Sequence, residues 1–330
     1  MRSEMTYKFK GAGHEEPEGK RKYEKPDSKL AKAFEAVLDK EFEKKFASLM
    51  ANTHGPDYSE WKEIEFLGKF ICESVGREKF SADDAKALLL QYEDHKNIEE
   101  SGEFITAIYN NSRDKIIIHD VDIGKPIKSI GGSLAQNKVL VNKAPIGPHF
   151  GADACGIIIN YADEIKGVFT SCYGLGDSGV FLNYGKIMND AGQDSDGLWI
   201  NAGITRALGH QTCGLILNLG KTDEFGEEAK SDSILVNAGE ATKFGKGACG
   251  IIIATNAPKQ NIKTQDCTYI GPEQCSQIPK LQAYFDGIRQ KVEAGRTDYF
   301  AAVKLAKSLN AEKVSQRLAE ILKGNLEGLL

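Results

Sequence analysis

Two patterns in the 330-residue sequence predict an α+β fold in which a parallel β-solenoid, of the single-stranded β-helix type, is flanked by N- and C-terminal helices. The first is a five-residue phrase that keeps returning: Lys-Ile-Ile-Ile-His at 115–119, Lys-Val-Leu-Val-Asn at 138–142, Gly-Ile-Ile-Ile-Asn at 156–160, Gly-Val-Phe-Leu-Asn at 179–183, Gly-Leu-Trp-Ile-Asn at 197–201, Gly-Leu-Ile-Leu-Asn at 214–218, Ser-Ile-Leu-Val-Asn at 233–237 and Gly-Ile-Ile-Ile-Ala at 250–254. The second is the apolar spacing of three and four residues on either side of this stretch, the period of an amphipathic helix.

Taken in order, residues 1–28 carry Gly11, Gly13, Pro17, Gly19, Pro26 and dense mixed charge, the composition of a loose leader. Region 29–103 is helical in pattern. Leu30, Phe34, Val37, Leu38, Phe42 and Phe46 form one stripe from Ser28 to about Met50, with Ser28 or Asp27 as its cap. His54 lies in the turn-rich break at 52–57, and a second helix over about 59–74 uses Trp61, Ile64, Leu67, Ile71 and Cys72. Ser81-Ala-Asp-Asp84 reads as the cap and first turn of a third. The apolar stretch Phe104–Tyr109 is expected as a strand or an end cap, opening the solenoid region 104–256.

Most repeats are seventeen to nineteen residues apart, measured on Asn142, Asn160, Asn183, Asn201, Asn218 and Asn237, and the partial echo Gly167-Val-Phe-Thr170 marks one irregular rung. A unit so short cannot bury its own apolar face, whereas stacked copies bury a continuous column. The repeated Asn fits a corner ladder, because its amide both donates and accepts. Flanking apolar columns, such as Val180 and Leu182 or Leu198 and Ile200, share one side of the strand, which is assigned to the interior. On that assignment the middle column, with Phe181, Trp199, Ile216 and Leu235, faces outward as a binding face under helices or a second chain. Region 257–330 is expected to begin as loop to about residue 275, followed by helices over about 279–293, from Asp298 to Leu309, and 311–322.

Composition narrows the function classes. The net charge of −5 is mild and both signs are interspersed, so nucleic acid is an unlikely partner. No stretch reaches the roughly 18 apolar residues of a membrane span, and Met1–Lys10 lacks a signal-peptide core, so the expected location is the cytoplasm. The 7 cysteines form no metal-type pairs, and Cys155, Cys213 and Cys249 recur before a corner glycine, as reduced, buried thiols would.

No cofactor or metal motif is present. Gly220-Lys221-Thr222 echoes a phosphate-binding loop without its upstream glycine spacing. His119, Asp120 and Asp122 form one possible acid/base cluster, although His119 also occupies the ladder column of the first rung. His149 with Asp153, and His210, fall on related turns, and Asp177, Asp190, Asp194 and Asp196 lie on loops of adjacent units. Two such carboxylates converging across a groove would suit glycosidic cleavage; apart, they are surface charge.

The repeated phrase resembles the broad class of parallel β-solenoids, which includes polysaccharide-degrading enzymes, assembly scaffolds and glycine-rich β-helix domains appended to large enzymes. The resemblance implies the fold and leaves the function open. The expectation is a non-enzymatic binding or assembly protein, homo-oligomeric through its outer apolar column. The alternative is a carbohydrate-active or other hydrolase using acidic and histidine side chains on the rung loops.

Overall fold

The computed structural model describes residues 26–39, 60–76, 79–145, 147–163, 172–173, 179–256 and 267–323. Among the described residues, four α-helices precede the solenoid: α1 (Ser28–Leu38), α2 (Glu60–Val75), α3 (Ala82–Gln91) and α4 (Gly102–Asn110). Asp27 caps α1 by accepting from the backbone amides of Lys29 and Leu30, and the buried stripe is Leu30, Phe34 and Leu38. Phe42, Phe46 and His54 lie outside the described residues. Ser81 and Asp84 form a reciprocal capping box on α3.

At 104–109 the chain is helical, not a strand, because Phe104, Ile105, Ile108 and Tyr109 must all bury while the helix closes the open end of the solenoid. Side chains of α4 fasten it to the first corner. Thr106 Oγ1 accepts from the amide of Gly131 at 2.9 Å, and Asn110 Oδ1 accepts from that of Ala135 at 2.9 Å.

Among the described residues the solenoid has two parallel sheets. The first contains β1 (Ile116–His119), β2 (Val139–Asn142), β3 (Ile157–Asn160), β5 (Val180–Asn183), β7 (Leu198–Asn201), β9 (Leu215–Asn218), β11 (Ile234–Asn237), β13 (Ile251–Ala254) and β14 (Thr268–Ile270), in that spatial order. The second contains β4 (Cys172–Tyr173), β6 (Lys186–Gln193), β8 (Ile204–Leu208), β10 (Lys221–Phe225) and β12 (Glu240–Phe244). Every repeated Asn stands opposite the next in register. Asn142 Nδ2 donates to Asn160 Oδ1 at 2.9 Å, and the same bond continues through Asn183, Asn201, Asn218 and Asn237 at 2.8–3.0 Å. Each amide therefore accepts from the rung before and donates to the rung after. The ladder is directional, and its two terminal atoms, Asn142 Oδ1 and Asn237 Nδ2, are buried without a hydrogen-bond partner.

The facing of the columns is the reverse of the expectation. Phe181, Trp199, Ile216 and Leu235 do not form an outer binding face; they fill the solenoid interior with Ala191, Leu208, Phe225 and Phe244 of the second sheet. Phe181 and Trp199 stack at 3.9 Å between ring centroids. The reason is room: Gly192 has φ +69°, and a Cβ there would press on the Trp199 indole, so the glycine corner makes space for the large middle-column side chains. Asn lies two residues beyond the middle position, on the same side of the strand, which places the ladder inside as well.

The flanking columns face outward and are covered by the chain's own C-terminal helices, α5 (Pro272–Ser276), α6 (Pro279–Thr297), α7 (Tyr299–Ser308) and α8 (Ala311–Lys323). Val180, Leu182, Leu198, Ile200, Leu215 and Leu217 form one buried cluster with Leu281, Phe285, Ile288, Val292, Ala302 and Val303. Tyr184 donates its hydroxyl to the Val292 carbonyl at 2.9 Å and Tyr161 to that of Gly295 at 2.6 Å, while Arg296 and Arg289 donate back to the carbonyls of Ala202 and Ala238. These bonds fix α6 across the rungs. Strand β14 and helix α5 fall where loop was expected; short elements without a periodic stripe leave little trace in sequence.

Two substitutions probe the stacking. Asn201→Leu leaves the Asn183 amide and the Asn218 carbonyl oxygen buried without their partners, and is expected to lower unfolding free energy by roughly 2–5 kcal/mol in urea titrations. Gly203→Ala drives a Cβ into the carbonyl oxygen of Gly185 on the preceding rung. It is expected to destabilise the fold by about 1–3 kcal/mol, against no more than about 0.5 kcal/mol for an exposed control such as Lys186→Ala. Melting transitions equal to wild type would contradict the close stacking of these corners.

Candidate functional site

His119 is the most chemically distinctive of the candidate residues, and it is buried. Its ring Nδ1 shares a 2.9 Å hydrogen bond with the hydroxyl of Tyr109, which reaches it from α4. Asp120, the next residue, makes a 2.9 Å ion pair with Lys86 of α3, and both of these side chains are almost wholly enclosed. Burial lowers the His119 pKa from its ordinary 6.5 to about 4, opposed in part by Asp120 and reinforced by Lys86. The imidazole is thus neutral at physiological pH and enclosed by its neighbours. This group of residues joins the helical cap to the first rung. Asp122 stands apart from it, exposed, accepting from the amide of Gly124 at 2.7 Å.

The other candidates spread along the corners. His149 and Asp153 bracket one left-handed turn, with φ of 57° and 53°. His210 lies three corners further on, about 14 Å away at the ordinary strand spacing, and approaches Glu228 at 3.6 Å. Asp194, with φ 52°, is exposed and within 3.8 Å of Lys230. Asp196 is exposed beside Cys213, and Asp190 sits on β6 at the register of Ala207. Asp177 lies outside the described residues. Among the described residues no group of three or more His, Cys, Asp or Glu is arranged to hold a metal ion, and no helix is long and apolar enough to cross a membrane.

The cysteines are free thiols among the described residues, but Cys155, Cys213 and Cys249 are half-buried, not fully buried as their register implied. Each stands immediately before its rung, at a corner whose outer side meets solvent. Burial raises the Cys213 thiol, and that of Cys275 to about 11, which keeps both in the weakly nucleophilic protonated form. Gly220-Lys221-Thr222 runs straight into β10, with Thr222 inward and Lys221 on the surface, a geometry that does not cradle phosphate.

What the structure does bring together is the outer side of the second sheet. Lys186, Ile204, Lys221 and Glu240 form one exposed row across β6, β8, β10 and β12. Arg206 and Asp223 lie outward in the next row. Lys221 pairs with Glu240 at 3.4 Å and Lys243 with Glu224 at 2.6 Å, so charge is matched from strand to strand. Ile204 is 45% exposed at the centre of these charges. The sequence carried the signal for this face in its alternation, since Thr205, Thr222 and Ala241 point inward between exposed neighbours. Beside the dominant apolar phrase of the repeat, this alternation in short polar strands is a weak signal.

These features define a parallel β-solenoid with a capped end and a helix-covered first sheet. No family model, curated protein or solved structure matches the chain.

The neutral state of His119 has a consequence for stability. Between pH 6.5 and about 4 the unfolded chain binds a proton that the folded chain does not. Stability from this group is fully present above about pH 6.5 and falls as pH drops towards about 4, by roughly 3 kcal/mol. In urea titrations across this range, His119→Asn is expected to flatten that part of the pH dependence. Identical slopes for the variant and wild type would rule out a buried neutral imidazole.

Proposed function

We propose that this protein is a cytoplasmic, non-enzymatic assembly scaffold that binds protein, including other copies of itself, through the outer face of its second sheet. The carrying observation is the exposed row Lys186, Ile204, Lys221 and Glu240, which presents an apolar centre within a charged surround. Protein interfaces commonly combine a small desolvated centre with a polar rim. Rigidity adds to the argument. Stacked rungs hold these side chains at fixed spacings of about 4.8 Å, so little conformational freedom is lost when a partner docks. Free thiols support the cytoplasmic location.

The reading shifts the binding surface from the column anticipated in sequence to the opposite sheet. The apolar outer columns of the first sheet already have an occupant, the helices α6 and α7. The His119 group is enclosed, and Asp194 lies within ion-pair reach of Lys230.

Affinity capture with the wild-type chain and with Ile204→Glu/Arg206→Glu tests the proposal, scored by quantitative mass spectrometry. Binding partners, the tagged protein's own untagged copies included, are expected to be retained by wild type and reduced at least tenfold on the variant at unchanged melting temperature. Equal recovery on both would dismiss the face as the binding surface. Release of reducing sugar from a panel of polysaccharides by the purified protein would replace the scaffold with a hydrolase.

A further inference from the structure

The outer face of the second sheet is divided by charge in a way that makes it complementary to itself. On β6 and β8 it presents Lys186 and Arg206; on β10 and β12 it presents Asp223 and Glu240. Lys221 and Lys243, the cations of the acidic half, are each matched within the chain, by Glu240 and Glu224. Lys186, Arg206 and Asp223 enter no ion pair among the described residues.

Resting on the scaffold reading, we propose that this face docks on the same face of a second copy about a twofold axis that runs parallel to the strands between β8 and β10. That operation lays β6 over the partner's β12 and β8 over the partner's β10, with each row of side chains kept in line. Lys186 then meets Glu240 and Arg206 meets Asp223, each pair occurring twice. Ile204 lies against the aliphatic stem of Lys221, which shields it without burying the ammonium. In the third row Asp190 meets Lys243. An axis along either of the two flanking strands fails on charge. Along β8 it would oppose Lys186 to Lys221, and along β10 it would oppose Asp223 to its own copy.

Four strands about 4.8 Å apart and five residues of about 3.3 Å give a footprint of roughly 19 by 17 Å. This is smaller than the roughly 800 Å² per partner of a standard interface, so the dimer is weak and exchanging. Its charge pairs lie near solvent, and salt screens them.

Sedimentation equilibrium of the full chain over a concentration series tests the arrangement. Wild type is expected to move from monomer towards dimer mass as concentration rises, and to dissociate at least tenfold more readily when salt is raised from about 50 to 500 mM. Lys186→Glu/Arg206→Asp and Asp223→Arg/Glu240→Lys should each remain monomeric with unchanged melting, because each opposes like charges across the axis. An equimolar mixture of the two should recover the dimer, since the Lys186–Glu240 and Arg206–Asp223 positions then carry opposite charges across the axis. Wild type that is monomeric throughout overturns self-docking, leaving the scaffold reading to stand or fall on heterologous capture. A wild-type dimer that both charge reversals leave intact overturns this interface while retaining assembly through another surface.

Discussion

Register between rungs is the constraint on which the rest of the molecule depends, and the asparagine ladder enforces it. Each internal amide is wholly buried and satisfied only when its equivalents stand directly before and after it. A slip of one residue would turn the ladder out of the corner and reverse every apolar column at once. The penalty for stranding a buried amide, about 1–3 kcal/mol for each unpaired group, applies at every internal rung. Register is therefore specified many times over, and the corner glycines make the close approach sterically feasible.

From that register follow two separate apolar cores divided by a single sheet. The middle column packs against the second sheet and continues into the helical cap, where Phe104 and Tyr109 extend the same cluster. The flanking columns pack against the C-terminal helices. A fully buried aliphatic or aromatic side chain contributes roughly 1.5–3 kcal/mol, so both faces of the first sheet add to the stability of the solenoid. Coverage differs between the two sheets. The first is enclosed on both sides, whereas among the described residues the outer row Lys186, Ile204, Lys221 and Glu240 of the second is exposed.

The buried polar groups at the cap mark where the repeat stops being a repeat. His119 replaces the Asn of the first rung and turns to Tyr109 instead of Asn142, whose acceptor oxygen is left without a partner. The Lys86–Asp120 pair beside it ties α3 to the same rung. Removing either partner of such a pair is costly, since the remaining charge would be buried alone. These residues have the chemical types of an acid/base site, and their contacts join the helical cap to the first rung.

The sequence by itself determined the repeating phrase, the stacking of its asparagines, the division into helical, solenoid and helical regions, and helix starts near Asp27, Ser81 and Asp298. These are local or periodic properties, read from spacing and side-chain chemistry. Only the tertiary structure decided which side of the strand is inside. Period two tells which residues share a side, but Phe181 and Leu182 are both apolar, so alternation could not say which of them faces the interior. Tertiary structure likewise decided that the helices of the same chain cover Leu182 and Ile200, and that Lys186, Arg206, Asp223 and Glu240, spread over more than fifty residues of sequence, share one exposed face. Such relations depend on how successive turns of the chain come to lie beside one another, which no local window of sequence contains.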